Sequence, residues 1–101
     1  MHELNGGWFW WSKSGADAFI QLWQTVYDYF TEEWNLDNLI WVLGYADTPD
    51  GAWDPGREYY DIAGADTYSP PSDSLISMYD GVVDIHGSPT SIPYSRSHAY
   101  A

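Results

Sequence analysis

The sequence predicts an α/β fold organised on a parallel sheet. Leu39-Ile40-Trp41-Val42-Leu43 is a short, unbroken apolar run, as expected of a strand buried on both faces of such a sheet. Residues 59–65 return to strand character. A stretch of helical periodicity precedes the first of these segments and another follows the second. Strand and helix signals that alternate along a chain point to parallel strands joined by crossovers.

The elements follow in order. Residues 1–12 open on a His-Glu pair and run at once into an aromatic block, Trp8-Phe9-Trp10-Trp11. They read as the tail of a strand entering a functional loop, with the strand itself missing. Ser14 is placed to open a helix, with Asp17 three residues on in the manner of a capping box. Phe19, Ile20, Trp23, Val26, Tyr27, Phe30 and Trp34 then share one apolar stripe, and residues 35–38 break it. After the first strand, residues 44–57 form a loop rich in Asp, Gly and Pro, with Trp53 in its middle. The second strand ends in Asp66-Thr67-Tyr68, and Pro70-Pro71 stops it. Residues 73–85 make a second amphipathic helix, with Leu75, Met78, Tyr79, Val82 and Ile85 on one side. A third strand is expected to begin in residues 88–95.

At 101 residues there is room for one small domain or for part of a larger one. Seven Trp and nine Tyr stand against three Phe. Trp and Tyr combine a flat apolar body with a hydrogen-bonding edge, which suits a sugar ring with its apolar face and polar rim. Fifteen carboxylates against one Lys and two Arg give a net charge of −12. Binding phosphates needs a basic footprint, so nucleic acid is excluded, and anionic membrane is disfavoured on the same ground. A neutral polysaccharide fits; so does the plainer reading that the charge serves solubility. Without cysteine there are no disulfides and no thiolate metal sites. No run approaches the ~20 apolar residues of a membrane helix. The first residues carry no signal peptide, and no motif calls for a cofactor.

Three places could carry chemistry. Glu3, at the end of a parallel strand, can act as a general acid where its surroundings favour the protonated form; the alternative is an ordinary Glu near the chain start. Gly6 stands where a zinc-protease motif would need its second His, which excludes that motif. The aromatic block is flanked by loop-forming residues, so some of its rings should face solvent or ligand rather than the core. Asp66 and Tyr68 follow a strand end, where polar residues of a barrel point into the mouth; the alternative is an ordinary turn cap. His86 and His98 lack metal-ligand spacing, and Asp47, Asp50 and Asp54 do not match a calcium-binding EF-hand loop. No metal is expected. Glu32 and Glu33 read as a solvated face.

Four motifs, in one order, resemble family 26 of the glycoside hydrolases. They are His2-Glu3-Leu-Asn-Gly-Gly-Trp8-Phe-Trp10-Trp11, a helix with Leu22-Trp23 and Tyr27-Asp28, Asn38-Leu-Ile-Trp41-Val, and Pro55-Gly56 with Tyr60-Asp61-Ile-Ala-Gly64-Ala-Asp66-Thr-Tyr68. The resemblance runs from about residue 2 to about residue 86, and residues 87–101 depart from it. It implies a partial (β/α)8 barrel, roughly strands 4 to 7, from a secreted retaining hydrolase. The activity implied is most often endo-acting cleavage of β-1,4-mannan, with some relatives acting on other β-glucans or xylans. Glu3 matches the acid/base at the end of the fourth strand, and His2 the active-site residue before it. Trp8 matches the aromatic residue against the sugar near the cleavage point. Tyr68 matches a tyrosine that hydrogen-bonds the nucleophile. Asp66, Trp10 and Trp53 are secondary candidates for substrate contact.

The nucleophile implied by the family is a Glu at the end of the seventh strand, yet no Glu follows Glu58. Truncation, or a change of reading frame near Gly87, would explain this. A closed barrel needs roughly 250 residues. The chain is therefore expected to be inactive alone and to self-associate through open sheet edges. A stand-alone sugar-binding module, or an aromatic-rich interaction module, is the alternative.

Overall fold

The computed structural model describes residues 1–67, 72–87 and 98–100. Helix α1 spans Ala16–Asp28, and its start corrects the expectation at Ser14. The N-cap is Gly15, at φ 92° and ψ 177°, with no side chain capping it. A 3-10 turn, Trp10–Ser12, delivers the chain to α1 at an angle that needs a backbone conformation open essentially to glycine alone. Ser14 is left exposed, and Asp17 contributes only as an acid in the first turn, facing the positive end of the helix.

Phe19 and Trp23, one turn apart, form the buried face of α1. The predicted stripe does not continue to Trp34. After Asp28 the helix loosens into a π-helical turn, Tyr29–Glu33. Such a turn inserts a residue and rotates the helix face beyond it. Thr31 Oγ1 donates back to the Tyr27 carbonyl at 2.8 Å, a contact that competes with regular helical pairing. Trp34 is consequently left largely exposed, while Phe30 keeps a ring contact with Trp41 at 5.8 Å and is partly exposed.

Strands β1 (Val42–Tyr45) and β2 (Ile62–Asp66) pair in parallel, in the register Val42↔Ile62 to Tyr45↔Ala65. β1 begins three residues later than its apolar run suggested, and it is covered on one face only. Leu43 and Tyr45 are buried, whereas Leu39, Ile40 and Val42 are exposed. The helices pack against one side of the sheet and leave the other bare. β2 also starts late, because residues Arg57–Tyr59 coil into a 3-10 turn. Asp61 ties the entrance of both strands: its carboxylate accepts from the Trp41 amide at 2.8 Å, and its own amide donates to the Trp41 carbonyl at 2.9 Å.

Helix α2, Ser72–His86, lies where the periodicity placed it and buries Met78 and Val82, four residues apart. β3, His98–Tyr100, joins the free edge of β2 antiparallel. That departs from a uniformly parallel sheet. Residues 91–101 are too polar to occupy a buried parallel strand, and the unpaired edge of β2 offers backbone groups to whichever segment reaches it. The third strand expected in residues 88–95 lies outside the described residues.

The core gathers Leu43, Tyr45, Ala63 and Ala65 from the sheet, Phe19 and Trp23 from α1, and Met78 and Val82 from α2, with Leu4 and Tyr60. Trp53 belongs with them. Its partly buried ring packs 5.8 Å from Phe19, since an amphipathic ring in a loop can turn inward when a helix offers an aromatic face. The long β1–β2 loop is fastened to α1 by Trp23 Nε1 donating to the Tyr59 carbonyl and Gln24 Nε2 donating to the Pro55 carbonyl, each at 2.8 Å. Among the described residues no helix is long and apolar enough to cross a membrane.

Candidate active site

Parallel strands bring their carboxyl ends to one edge of a sheet, where ligands of α/β proteins bind. Here three successive chain segments end at that edge. Residues 2–4 run beside β1, with the Leu4 amide donating to the Gly44 carbonyl at 2.9 Å. A Cβ at Gly44 would lie 3.5 Å from the His2 backbone, in ordinary van der Waals contact, so the two segments run close together. Ala46 and Asp47 follow β1, while Asp66 closes β2 and Thr67 follows it.

Glu3 lies at the centre. It is only 6% exposed and holds φ 49°, a left-handed conformation rare outside glycine. The Gly6 amide donates to the Glu3 carbonyl at 3.0 Å and closes a tight turn. Trp8 Nε1 donates to Glu3 Oε2 at 2.9 Å, and His2 Nε2 lies 3.8 Å from the same oxygen. The Trp8 ring lies directly over Gly6: a Cβ there would enter the ring, so any side chain at this position must displace the indole. One face of that ring stays open, with the residue 56% exposed.

Glu3, Trp8, Ala46, Asp47, Asp66 and Thr67 enclose a hollow of about 190 Å³. A second hollow of about 360 Å³ adjoins it, sharing Asp47 and Thr67 and floored by Ser77, Met78 and Gly81 of α2. His2, Glu3 and Asp66 present nitrogen and oxygen atoms all within 4.8 Å of one another, a spacing that could hold a cation or a pair of sugar hydroxyls. The structure thus brings His2, Glu3, Trp8 and Asp66 together. Tyr68 lies outside the described residues.

The rest of the aromatic block has a different task. Phe9 and Trp11 stack at 4.5 Å with planes 16° apart, and the His2 ring leans on both. Trp11 Nε1 donates to the His2 carbonyl at 3.2 Å. These two rings orient His2. Trp10 is 68% exposed and meets Trp11 edge-on, and it does not line the hollow beside Glu3. It is turned away because Trp11, its neighbour in the turn, takes the inward position.

Asp47 reads in the sequence as one member of an acidic loop, yet it lines both hollows. The available signal was its place just past the end of β1, matching that of Asp66 on β2. The other loop acids have local duties. Asp50 caps the 3-10 turn at Ala52, and Asp54 accepts from the Gly56 amide and the Tyr60 hydroxyl. Behind the sheet, burial and the nearby Asp54 push the Tyr45 phenol well above its ordinary range. Burial first, and Arg57 second, hold His86 below the usual imidazole value.

The sequence pattern of glycosyl hydrolase family 26 matches residues 1–93. The chain is 39% identical over 94 residues to the mannan endo-1,4-beta-mannosidase A and B of Caldalkalibacillus mannanilyticus, covering 82% of this chain and 18% of that protein. It is similar in structure to the Podospora anserina β-(1,4)-mannanase, with a TM-score of 0.72, 36% identity, and coverage of 83% of this chain and 18% of that one. It is also similar to a β-mannanase from a symbiotic protist of the termite Reticulitermes speratus, solved with a gluco-manno-oligosaccharide. There the TM-score is 0.63 at 36% identity, over 79% of this chain and 28% of that one. The chain spans less than a fifth of the length of the first curated relatives. With the family pattern running over almost its whole length and the local fold shared at this level of identity, the chain belongs to glycosyl hydrolase family 26.

Proposed function

We propose that this chain is the acid/base-bearing segment of a secreted, retaining endo-β-1,4-mannanase, spanning roughly strands 4 to 7 of its (β/α)8 barrel. The observation that carries this reading is the bond from the Trp8 indole to the buried Glu3 carboxyl at the mouth of the hollow. In a retaining mechanism one carboxyl protonates the departing glycosidic oxygen while a second, ~5–5.5 Å away, attacks the anomeric carbon. Glu3 is the proton donor and then the base that activates water. The open face of Trp8 lies against the C–H face of a pyranose, and the Asp47, Asp66 and His2 side chains receive its hydroxyls. Tyr68 hydrogen-bonds the nucleophile, as the family resemblance implies.

The nucleophile comes from outside these 101 residues, since no Glu follows Glu58. The chain alone is therefore inactive on mannan, and release of reducing sugar by it would overturn that point. The acid/base role is tested in a complete barrel carrying this segment. Glu3→Gln should lower mannan hydrolysis by roughly 10²–10⁴-fold. It should spare the first step on an aryl mannoside whose phenolate leaves without a proton. Undiminished mannan hydrolysis by that variant would refute the assignment. The substrate of such a site is a neutral polysaccharide, in keeping with the net charge of −12.

A further inference from the structure

One side chain joins two walls of the hollow without lining it. Asn5 Nδ2 donates to the Thr48 carbonyl at 2.6 Å, and Asn5 Oδ1 accepts from the Ala46 amide at 2.8 Å. Both partners are backbone groups of the loop after β1, and they flank Asp47, which faces the hollow. Asn5 also closes the sequence Glu3-Leu4-Asn5, in which Leu4 is already tied to Gly44 and Glu3 holds its left-handed turn. A turn containing a non-glycine residue at positive φ persists only where its surroundings over-determine it. The Asn5 amide supplies two such constraints at once. A terminal amide is suited to this because it offers a donor and an acceptor on one short planar group: Asp would keep the Ala46 bond and lose the Thr48 one, and an aliphatic residue would lose both.

We infer that Asn5 is a positioning residue, clamping the acid/base turn to the loop after β1 so that Glu3, Trp8 and Asp47 face one hollow. Its significance for catalysis rests on the reading of Glu3 given above, but the clamp can be tested without activity. In ¹⁵N–¹H spectra of the 101-residue chain, the Trp8 indole N–H reports the bond to Glu3. The Trp23 indole N–H, bonded to the Tyr59 carbonyl in the core, reports the fold. The Trp8 resonance is assigned with Trp8→Phe, and its response to acid is tied to Glu3 with Glu3→Gln. Asn5→Ala should abolish the acid response of the Trp8 resonance while the Trp23 resonance stays in place. Asn5→Asp should give a reduced response, since it retains one of the two bonds.

A Trp8 resonance in Asn5→Ala that titrates as in the unsubstituted chain would overturn the inference. So would displacement of Trp8 and Trp23 together in both variants, which would make Asn5 a general packing residue. Should Asn5→Ala fail to fold, Asn5→Asp decides alone, with an unchanged Trp8 response counting against the clamp. Failure of the catalytic reading shows elsewhere, as Glu3→Gln leaving mannan hydrolysis intact in the complete barrel.

Discussion

The bond between Trp8 and Glu3 is held by what Gly6 lacks. Because a Cβ at Gly6 would enter the Trp8 ring, Gly6→Ala must displace the indole and release the Glu3 carboxyl. In a complete barrel that variant, like Trp8→Ala, is expected to weaken binding of a manno-oligosaccharide by about tenfold or more, the equivalent of ~1.4 kcal/mol. Trp10→Ala should leave binding near the unsubstituted value. Isothermal titration distinguishes them, and equal losses at Trp8 and Trp10 would contradict the division of labour in the aromatic block. His86 makes a separate prediction. Its imidazole, buried with Nδ1 unpartnered among the described residues and held below its ordinary value, protonates more readily in the unfolded chain than in the folded one. Its contribution to stability is full above the unfolded value of about 6.5 and is lost as the pH falls through the lower folded value. Urea midpoints should therefore fall from pH 7.5 to pH 5, and less steeply in His86→Leu. What was legible at this scale was chemistry tied to local sequence: Glu3 and Trp8 sit in one short motif. Asn5 was not legible, because both of its partners lie more than forty residues away. The packing of Trp53 on Phe19 was not legible for the same reason.

Among the elements, the junction before α1 has the sharpest requirement. Gly15, at φ 92° and ψ 177°, occupies a region essentially closed to other residues. Gly15→Ala should destabilise the chain by about 1–3 kcal/mol, read as a lower urea midpoint with unchanged slope. Ser14→Ala should cost little, because Ser14 makes no cap; a loss near 1 kcal/mol, the usual value of a true N-cap, would contradict the observed helix start. Helix α2 was legible to within a residue at each end, since its burial rests on Met78 and Val82 at plain helical spacing. The π-helical turn and the late start of β1 were not. Apolar runs show that a segment seeks cover but not whether a neighbour exists to cover both faces. Ile40 and Val42 have the composition of a fully buried strand, yet both are exposed, one before β1 and one at its start.

For the molecule as a whole, that bare face sets the behaviour in solution. Leu39, Ile40 and Val42 are exposed, as are Tyr29, Phe30, Trp34 and Leu36, and contiguous apolar surface of this kind favours association. Opposing association is a net charge of −12, whose repulsion weakens as salt is added. Sedimentation velocity is expected to show larger species at 0.5 M than at 0.05 M NaCl. Ile40→Lys with Val42→Lys should shift the distribution back toward monomer. A monomer at both salt concentrations would remove this argument. The α/β class was legible from alternation alone. The one-sided sheet and the antiparallel β3 depend on which strands stand beside it, and that is not written in any one segment.

The Trp8–Glu3 contact also fixes a direction. An indole N–H can only donate, so Glu3 Oε2 must remain the acceptor for the bond to survive in every protonation state. When Glu3 is neutral its hydrogen must ride on Oε1, the oxygen that Trp8 leaves unengaged. On the acid/base role proposed for Glu3, delivery to a leaving group then starts from Oε1, and the reverse transfer from water returns the proton to the same oxygen. The tryptophan thereby makes two chemically equal oxygens unequal.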